Sequence, residues 1–184
     1  MLRAFKSLCC GLILAAMPPF GALAATVRVD YYENAFYLNL QFRSSKTADE
    51  LLAMLTDYDR LNRINTGIAQ SRVIGYGEDG KVIVWKKLHG CIAFVCRGLE
   101  HTELVNRKGS EITMTTLPDK SDFAIGMAHW EVTAMKGMPG STLSYNAMLR
   151  PAFSLPPLLG PWLMKRAITR ELRETAAALG DTNP

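Results

Sequence analysis

The stretch Met127-Ala128-His129-Trp130-Glu131-Val132-Thr133-Ala134-Met135, then Lys136 to Gly140, then Ser141-Thr142-Leu143-Ser144-Tyr145-Asn146-Ala147-Met148-Leu149-Arg150 decides the fold. Ala128, Trp130 and Val132 oppose His129, Glu131 and Thr133. Leu143, Tyr145, Ala147 and Leu149 oppose Thr142, Ser144, Asn146 and Met148. A period of two with one apolar phase is the pattern of antiparallel strands with one covered and one wet face. His129 therefore falls on the wet face with Glu131. Lys136 to Gly140 supplies the turn.

The same chemistry runs upstream. Apolar or alternating runs over 69–76, 81–89, 98–106 and 110–117 are separated by Gly77-Glu78-Asp79-Gly80, a cysteine-bearing segment and Arg107-Lys108-Gly109. Pro118 to Gly126 is read as a longer connection that could act as a lid. Before this meander, residues 35–43 alternate, with Phe36, Leu38, Leu40 and Phe42 on one side. Ser44 to Thr47 ends that strand, and Thr47 with Glu50 three residues on forms a capping box. Leu51, Leu52 and Leu55 then predict a helix over 48–55, and Leu61 and Ile64 a second helical turn over 57–64. Downstream, Pro151 to Pro161 is a proline-rich connector. A final helix is predicted over 162–179, with Trp162, Ile168, Leu172, Ala176 and Leu179 as its inward stripe and Gly180 as its stop.

The expected architecture is α+β. A curved seven-stranded antiparallel sheet wraps around a long C-terminal helix, with two short helices after the first strand. A curved sheet cannot cover its inner face alone, so the helix laid across it encloses a cavity.

Composition excludes several classes. The chain has 184 residues, 48% hydrophobic and 21% charged, with a net charge of +4, three histidines and four cysteines. This is a globular composition without a concentrated basic face, so no nucleic-acid partner is expected. His89, His101 and His129 form no HxH or HExxH pattern, so no metal is expected. No G-x-S-x-G, Walker loop or dinucleotide fingerprint occurs, and no cofactor is expected.

The first residues point to export. Arg3 and Lys6 precede an apolar run from Leu8 to Met17, two prolines and Ala22-Leu23-Ala24, the layout of a secretory signal peptide cleaved after Ala24. The run is short for a membrane span. Cys9 and Cys10 stand at its start, whereas a lipid-attachment cysteine would follow it. Residues 25–184 then form a single periplasmic domain. In an oxidising compartment Cys91 and Cys96 are expected to pair, with two buried free thiols as the alternative. Five residues of straight strand span about 16 Å, while a disulfide needs Cα atoms within about 7 Å, so the bridge requires the chain to reverse between them.

The layout resembles the helix-grip fold of the START/Bet v 1-like (SRPBCC) superfamily, in particular its polyketide cyclase and coenzyme Q-binding branch. The residues that carry the likeness are Leu55-Thr56-Asp57-Tyr58-Asp59-Arg60-Leu61, Trp130, Tyr145, Pro151-Ala152-Phe153 and Pro156-Pro157-Leu158-Leu159-Gly160. It extends over about residues 35–179. The resemblance implies a pocket for one apolar molecule: a lipid, a quinone, or a sterol-like or polyketide-like compound. Phe36, Leu38, Leu40, Phe42, Ile112, Met114, Trp130, Tyr145 and Leu149, with Trp162 and Leu172 from the helix, form the expected lining. Large apolar side chains with a Tyr hydroxyl suit a greasy ligand with one polar handle.

Three functional readings follow. The first is an exported binding or carrier protein for a hydrophobic molecule. The second is a cyclase- or aromatase-like enzyme in the same cavity, with Asp57, His101 and Tyr145 as candidate titratable groups. For Asp57 and Asp59 the structural reading is favoured, since carboxylates near helix starts usually satisfy backbone donors. The third is an accessory protein of an envelope transport complex. Ile92, Phe94 and Val95 make an apolar hairpin tip that would either touch a membrane or partner, or fold onto the last helix as a lid.

Overall fold

The computed structural model describes residues 25–92, 95–157 and 159–182, and for residues 90–92 and 95–97 the backbone alone. The signal-peptide segment, with Cys9 and Cys10, lies outside the described residues, as do Phe94 and the side chains of Ile92, Val95 and both mature cysteines.

Among the described residues eight strands form one antiparallel sheet: β1 (Thr26–Tyr32), β2 (Ala35–Ser44), β3 (Ile68–Tyr76), β4 (Val82–Ile92), β5 (Val95–Lys108), β6 (Glu111–Thr116), β7 (Phe123–Ala134) and β8 (Ser141–Pro151). Helix α1 (Ala48–Leu55) and a 3-10 turn (Tyr58–Arg63) join β2 to β3, and α2 (Gly160–Ala178) follows β8. The strand order is β1-β2-β8-β7-β6-β5-β4-β3. The chain therefore leaves β2, crosses to the far edge through α1, and meanders back until β8 pairs with β2.

The sheet has one strand more than the seven expected. β1 pairs with β2 from Thr26↔Gln41 to Tyr32↔Ala35 through a two-residue turn in which Glu33 and Asn34 both take positive φ, 48° and 60°. Such a turn matches the right-handed twist of the strands it joins. The connection at 118–126 is also shorter than expected: β7 begins at Phe123, and only a 3-10 turn at Pro118–Lys120 and its flanks stay outside the sheet. Residues 123–126 are thus fixed in the ladder and cannot serve as a lid.

The capping box forms: the Glu50 N–H donates to Thr47 Oγ1, and the Glu50 carboxylate accepts the Thr47 N–H at 2.8 Å. Leu51, Leu52 and Leu55 are buried. The 3-10 turn lies against edge strand β3. There the Asp59 carboxylate accepts the Val73 N–H at 2.9 Å, and Ser71 Oγ accepts the Leu61 N–H. These bonds cover an otherwise open sheet edge.

Helix α2 packs on β1 and β2 and reaches β4, spanning the concave face. Met164, Ile168, Leu172, Ala176 and Leu179 join the core, so the stripe begins at Met164. Trp162, expected as its first member and as cavity lining, is instead 55% exposed with the Arg166 guanidinium 5.8 Å above its ring. At 3.6 residues per turn, positions 164, 168 and 172 share a face that position 162 leaves. The C-terminal end of α2 is pinned: Ser44 Oγ donates to the Leu179 carbonyl, Ser45 N–H to Gly180 and Thr182 N–H to Arg43.

Candidate functional site

Strand register sorts the side chains between two faces. Phe36↔Leu149, Leu38↔Ala147, Leu40↔Tyr145 and Phe42↔Leu143 put the apolar phases of β2 and β8 together on the concave face. Trp130↔Tyr145 and Ile112↔Trp130 extend that face across β7 and β6. His129 sits on the outer face beside Glu111, opposite Trp130, as its alternation with Glu131 predicts.

Among the expected lining residues, Phe36, Leu40 and Ile112 are fully buried, and Leu38, Phe42, Trp130 and Leu172 nearly so. These seven are packed core. Met114, Tyr145 and Leu149, joined by Ala128 and Ala147, are half-buried, and Met114, Ala128 and Ala147 also border a groove on the outer face of the sheet. The Tyr145 ring lies 4.4 Å from that of Trp130, tilted by 32°.

Beside this apolar wall the concave face changes character. The register Lys86↔His101 and Glu103↔Thr116 brings charged and polar residues into the phase that elsewhere carries Val84, Leu99 and Val105. The Lys86 ammonium pairs directly with the Glu103 carboxylate, their side chains only 11% and 8% exposed. His101 Nε2 lies 2.8 Å from Thr116 Oγ1 and 3.4 Å from Glu103 Oε1, and its ring packs 4.7 Å from Phe123. A carboxylate facing Nε2 favours the tautomer with hydrogen on that nitrogen, so Nε2–H donates to Thr116.

Burial sets the protonation states. It lowers the His101 pKa to about 4, Glu103 pulling the other way and Lys86 adding to the drop, so the imidazole is neutral at pH 7. Burial would raise the Glu103 carboxyl, but the Lys86 ammonium and His101 outweigh it and hold the pKa below the ordinary value. Burial, with Glu103 nearby, pushes the Tyr145 hydroxyl far above its usual range, so it remains a hydrogen-bond donor. The result is a fixed carboxylate and ammonium, a neutral imidazole and a phenol on one concave wall.

Gly126 makes this arrangement possible. A Cβ there would lie 2.1 Å from Thr116 Oγ1, so the absent side chain leaves the space in which the Thr116 hydroxyl reaches His101.

Of the three titratable candidates from the sequence, His101 and Tyr145 belong to this wall. Asp57 does not. It accepts from Arg60 Nε at the start of the 3-10 turn, while Tyr58 between the two carboxylates packs against the core. Lys86, Glu103 and Thr116 were missed. Their signal was available: each is a polar residue in the apolar phase of an alternating strand. Among the described residues no three His, Cys, Asp or Glu side chains converge as metal ligands. A groove of about 630 Å³ lies on the opposite, outer face, lined by Tyr37, Asn39, Met127, His129, Asn146 and Met148 among others. It is wide open and separated by the sheet from the charged cluster.

In backbone terms the β4–β5 hairpin meets the condition for a disulfide. The chain reverses between the cysteines, and Cys91 and Cys96 are direct partners in the ladder. Directly opposite residues on antiparallel strands have Cα atoms about 4.5–5.5 Å apart, within disulfide range.

A twisted antiparallel sheet, entered through two short helices at one edge and spanned on its concave side by the last helix, defines the helix-grip class. Solved structures carry the assignment further. A START superfamily protein from Mycobacterium smegmatis matches with a TM-score of 0.61 at 14% identity, covering 78% of this chain and 93% of that one. A STAR-related lipid transfer protein (fragment 25–204) from Xanthomonas axonopodis matches at 0.61 and 14%, covering 85% and 97%. The Zhui aromatase/cyclase from Streptomyces sp. R1128 matches at 0.54 and 13%, covering 78% and 93%. No family model matches the chain, and no curated protein matches it in sequence. The protein has the helix-grip fold that these structures share, and at these identities the likeness is one of fold.

Proposed function

We propose that this protein is an exported carrier that holds one hydrophobic molecule with a polar head against the concave wall. The observation that carries the reading is the adjacency of two surfaces on one face. Met114, Ala147 and Leu149 form a half-buried apolar wall. On the same face lies the buried Lys86–Glu103–His101 cluster, whose Glu103 charge is felt at the Tyr145 phenol. Apolar contacts would supply affinity, at about 0.8 kcal/mol per buried methylene, and the polar cluster would fix orientation. The fold shared with a STAR-related lipid transfer protein supports a lipid-like ligand. Export to the periplasm rests on the pattern of residues 1–24, and the ladder pairing of Cys91 with Cys96 is consistent with an oxidising compartment.

The test is native mass spectrometry of protein purified from its own cell envelope, with extraction of whatever is bound. A stoichiometric lipid, quinone or sterol-like molecule is expected. Protein that arrives unloaded and takes up none of these classes when offered them overturns the reading. Peptide mapping without reductant should also show Cys91 joined to Cys96; two alkylatable thiols in the native protein would refute the bridge.

One observation favours a second reading. A buried imidazole facing a carboxylate sits on the concave wall, and an aromatase/cyclase shares the fold. A His101→Gln variant that retains its bound molecule but no longer converts it would establish catalysis. Recovery of the bound molecule unchanged by wild-type protein after prolonged incubation would exclude it for that ligand.

A further inference from the structure

We infer that the connector before α2 and the first turns of that helix dock on an anionic lipid bilayer. Leu159 and Trp162, large apolar side chains, stand 62% and 55% exposed, and Pro156 and Pro157 beside them are exposed as well. Trp162 is the residue that the helical stripe leaves out of the core, and among the described residues it stays more than half exposed.

Charge identifies the occupant. Between Pro151 and Arg170 the chain carries Lys165, Arg166 and Arg170 and no acidic residue. Arg170 is engaged with Glu171 and Glu174, and Lys165 makes only a 3.8 Å contact with Asp30, both partners about half exposed. Among the described residues Arg166 has no carboxylate within ion-pair reach. It lies over the Trp162 ring, an arrangement in which the indole sits at the headgroup boundary and the guanidinium reaches phosphate.

Backbone chemistry points the same way. Pro156, Pro157 and Pro161 have no N–H, and the N–H groups of Leu159 and Gly160 donate within the turn to Pro157 and Pro156 at 2.8 and 2.9 Å. These described positions therefore bring no unsatisfied donor into a region poor in water. A protein partner would not need that economy of donors; a lipid interface does.

The position matters as well. The far end of α2 is held by Ser44 Oγ and by the Ser45 and Thr182 amides, whereas the docking end rests on the packing of Met164 and Ile168 and on the weak Lys165 contact. A bilayer would meet the helix at its less fastened end, beside the concave wall. The inference does not depend on the carrier reading, because vesicle binding is measured without any cargo.

The experiment is co-sedimentation of the purified full-length mature protein with vesicles of phosphatidylcholine alone, or with about 30% phosphatidylglycerol, alongside Trp162→Asp, Leu159→Asp and Arg166→Glu variants. Binding only to the anionic vesicles, falling as salt rises, is expected. Each Asp variant should lose at least about tenfold in partitioning. Arg166→Glu should lose at least about fivefold, since one basic residue near such a surface contributes about that factor. All three positions are exposed, so thermal melts should match wild type. Lipids brominated in the acyl chain should quench wild-type tryptophan emission and leave Trp162→Phe unquenched. Absence of binding to anionic vesicles, equal binding to neutral ones, or variants that bind like wild type would each overturn the inference.

Discussion

Removing one partner of the Lys86–Glu103 pair should cost far more than removing both. The two side chains are 11% and 8% exposed, and Glu103 is also faced by His101 at 3.4 Å. Glu103→Gln leaves the Lys86 ammonium without its counter-charge in a dry wall; Lys86→Met does the same to the carboxylate. A single loss of this kind costs about 3–5 kcal/mol, whereas replacing a buried pair by apolar residues of similar volume is often neutral or stabilising. Lys86→Met with Glu103→Leu should therefore stay within about 1 kcal/mol of wild type, a coupling of several kcal/mol. In a domain of this size each kcal/mol moves the melting temperature by about 2–4 °C, so the single variants should melt at least about 6 °C lower. Urea denaturation at pH 7.5, followed by far-UV circular dichroism, closes the cycle. Single variants that lose less than about 1 kcal/mol, as surface pairs do, or a double variant equal to their sum, would refute the reasoning. The double variant also separates roles. If the pair orients a ligand, the protein should fold and lose its co-purifying molecule.

His101 should make the protein acid-labile. Its folded pKa, about 4, lies below the unfolded value near 6.5, so the unfolded chain takes up the proton first as pH falls. The contribution is fully present above pH 6.5 and is lost progressively down to about pH 4, totalling about 3 kcal/mol. His101→Gln should flatten that window; equal pH slopes for both proteins in urea titrations would contradict the assignment. Gly126→Ala should force the Thr116 hydroxyl off His101, since the new Cβ would start 2.1 Å from it. A cost of about 1–3 kcal/mol is expected, largely relieved by Thr116→Ala in the same chain, and an unchanged melt for Gly126→Ala would refute the contact. Asp59→Ala should expose the Val73 amide on the sheet edge and raise its hydrogen-exchange rate, with little change in global stability. Unaltered exchange at Val73 would remove Asp59 from that role.

The legible parts of the fold were those where one period ran unbroken. The strands around Trp130 and Tyr145, and the helix over 48–55 with its Thr47–Glu50 box, follow from alternation and capping chemistry alone. β1 also alternates, with Val27, Val29 and Tyr31 in one phase, but its signal is short and ends in a turn of Glu33 and Asn34 that contains no glycine. The start of β7 was hidden by a bulge between Phe123 and Ile125, which breaks the period of two. Trp162 was misplaced because its apolar character outweighed its angle on the helix. The polar wall was missed for a related reason. Lys86 and Glu103 lie inside the runs 81–89 and 98–106 without any role assigned to them from sequence, and only long-range register shows that they meet across β4 and β5.

That register carries a consequence for how the wall would work. Tyr145 belongs to β8 and the Lys86–Glu103–His101 cluster to β4 and β5, with β6 and β7 lying between. Burial raises the Tyr145 pKa and the Glu103 charge adds to the rise, so the phenol feels the carboxylate despite the strands between them. A ligand head bound between the phenol and the carboxylate would meet a donor and an acceptor already held by protein contacts, the phenol by Trp130 and the carboxylate by Lys86. Neither group would need to be ordered at the moment of binding, and such preorganisation gives a neutral polar head, one that both donates and accepts, an advantage over an anionic one. An anionic head there would meet the same two effects that raise Tyr145, burial first and the Glu103 charge second. On the proposed carrier reading the concave site would therefore favour uncharged heads such as hydroxyl or carbonyl groups, the opposite preference to that proposed for the basic end of α2. A protein so built would bind an anionic surface with one region and keep anionic lipids out of the other.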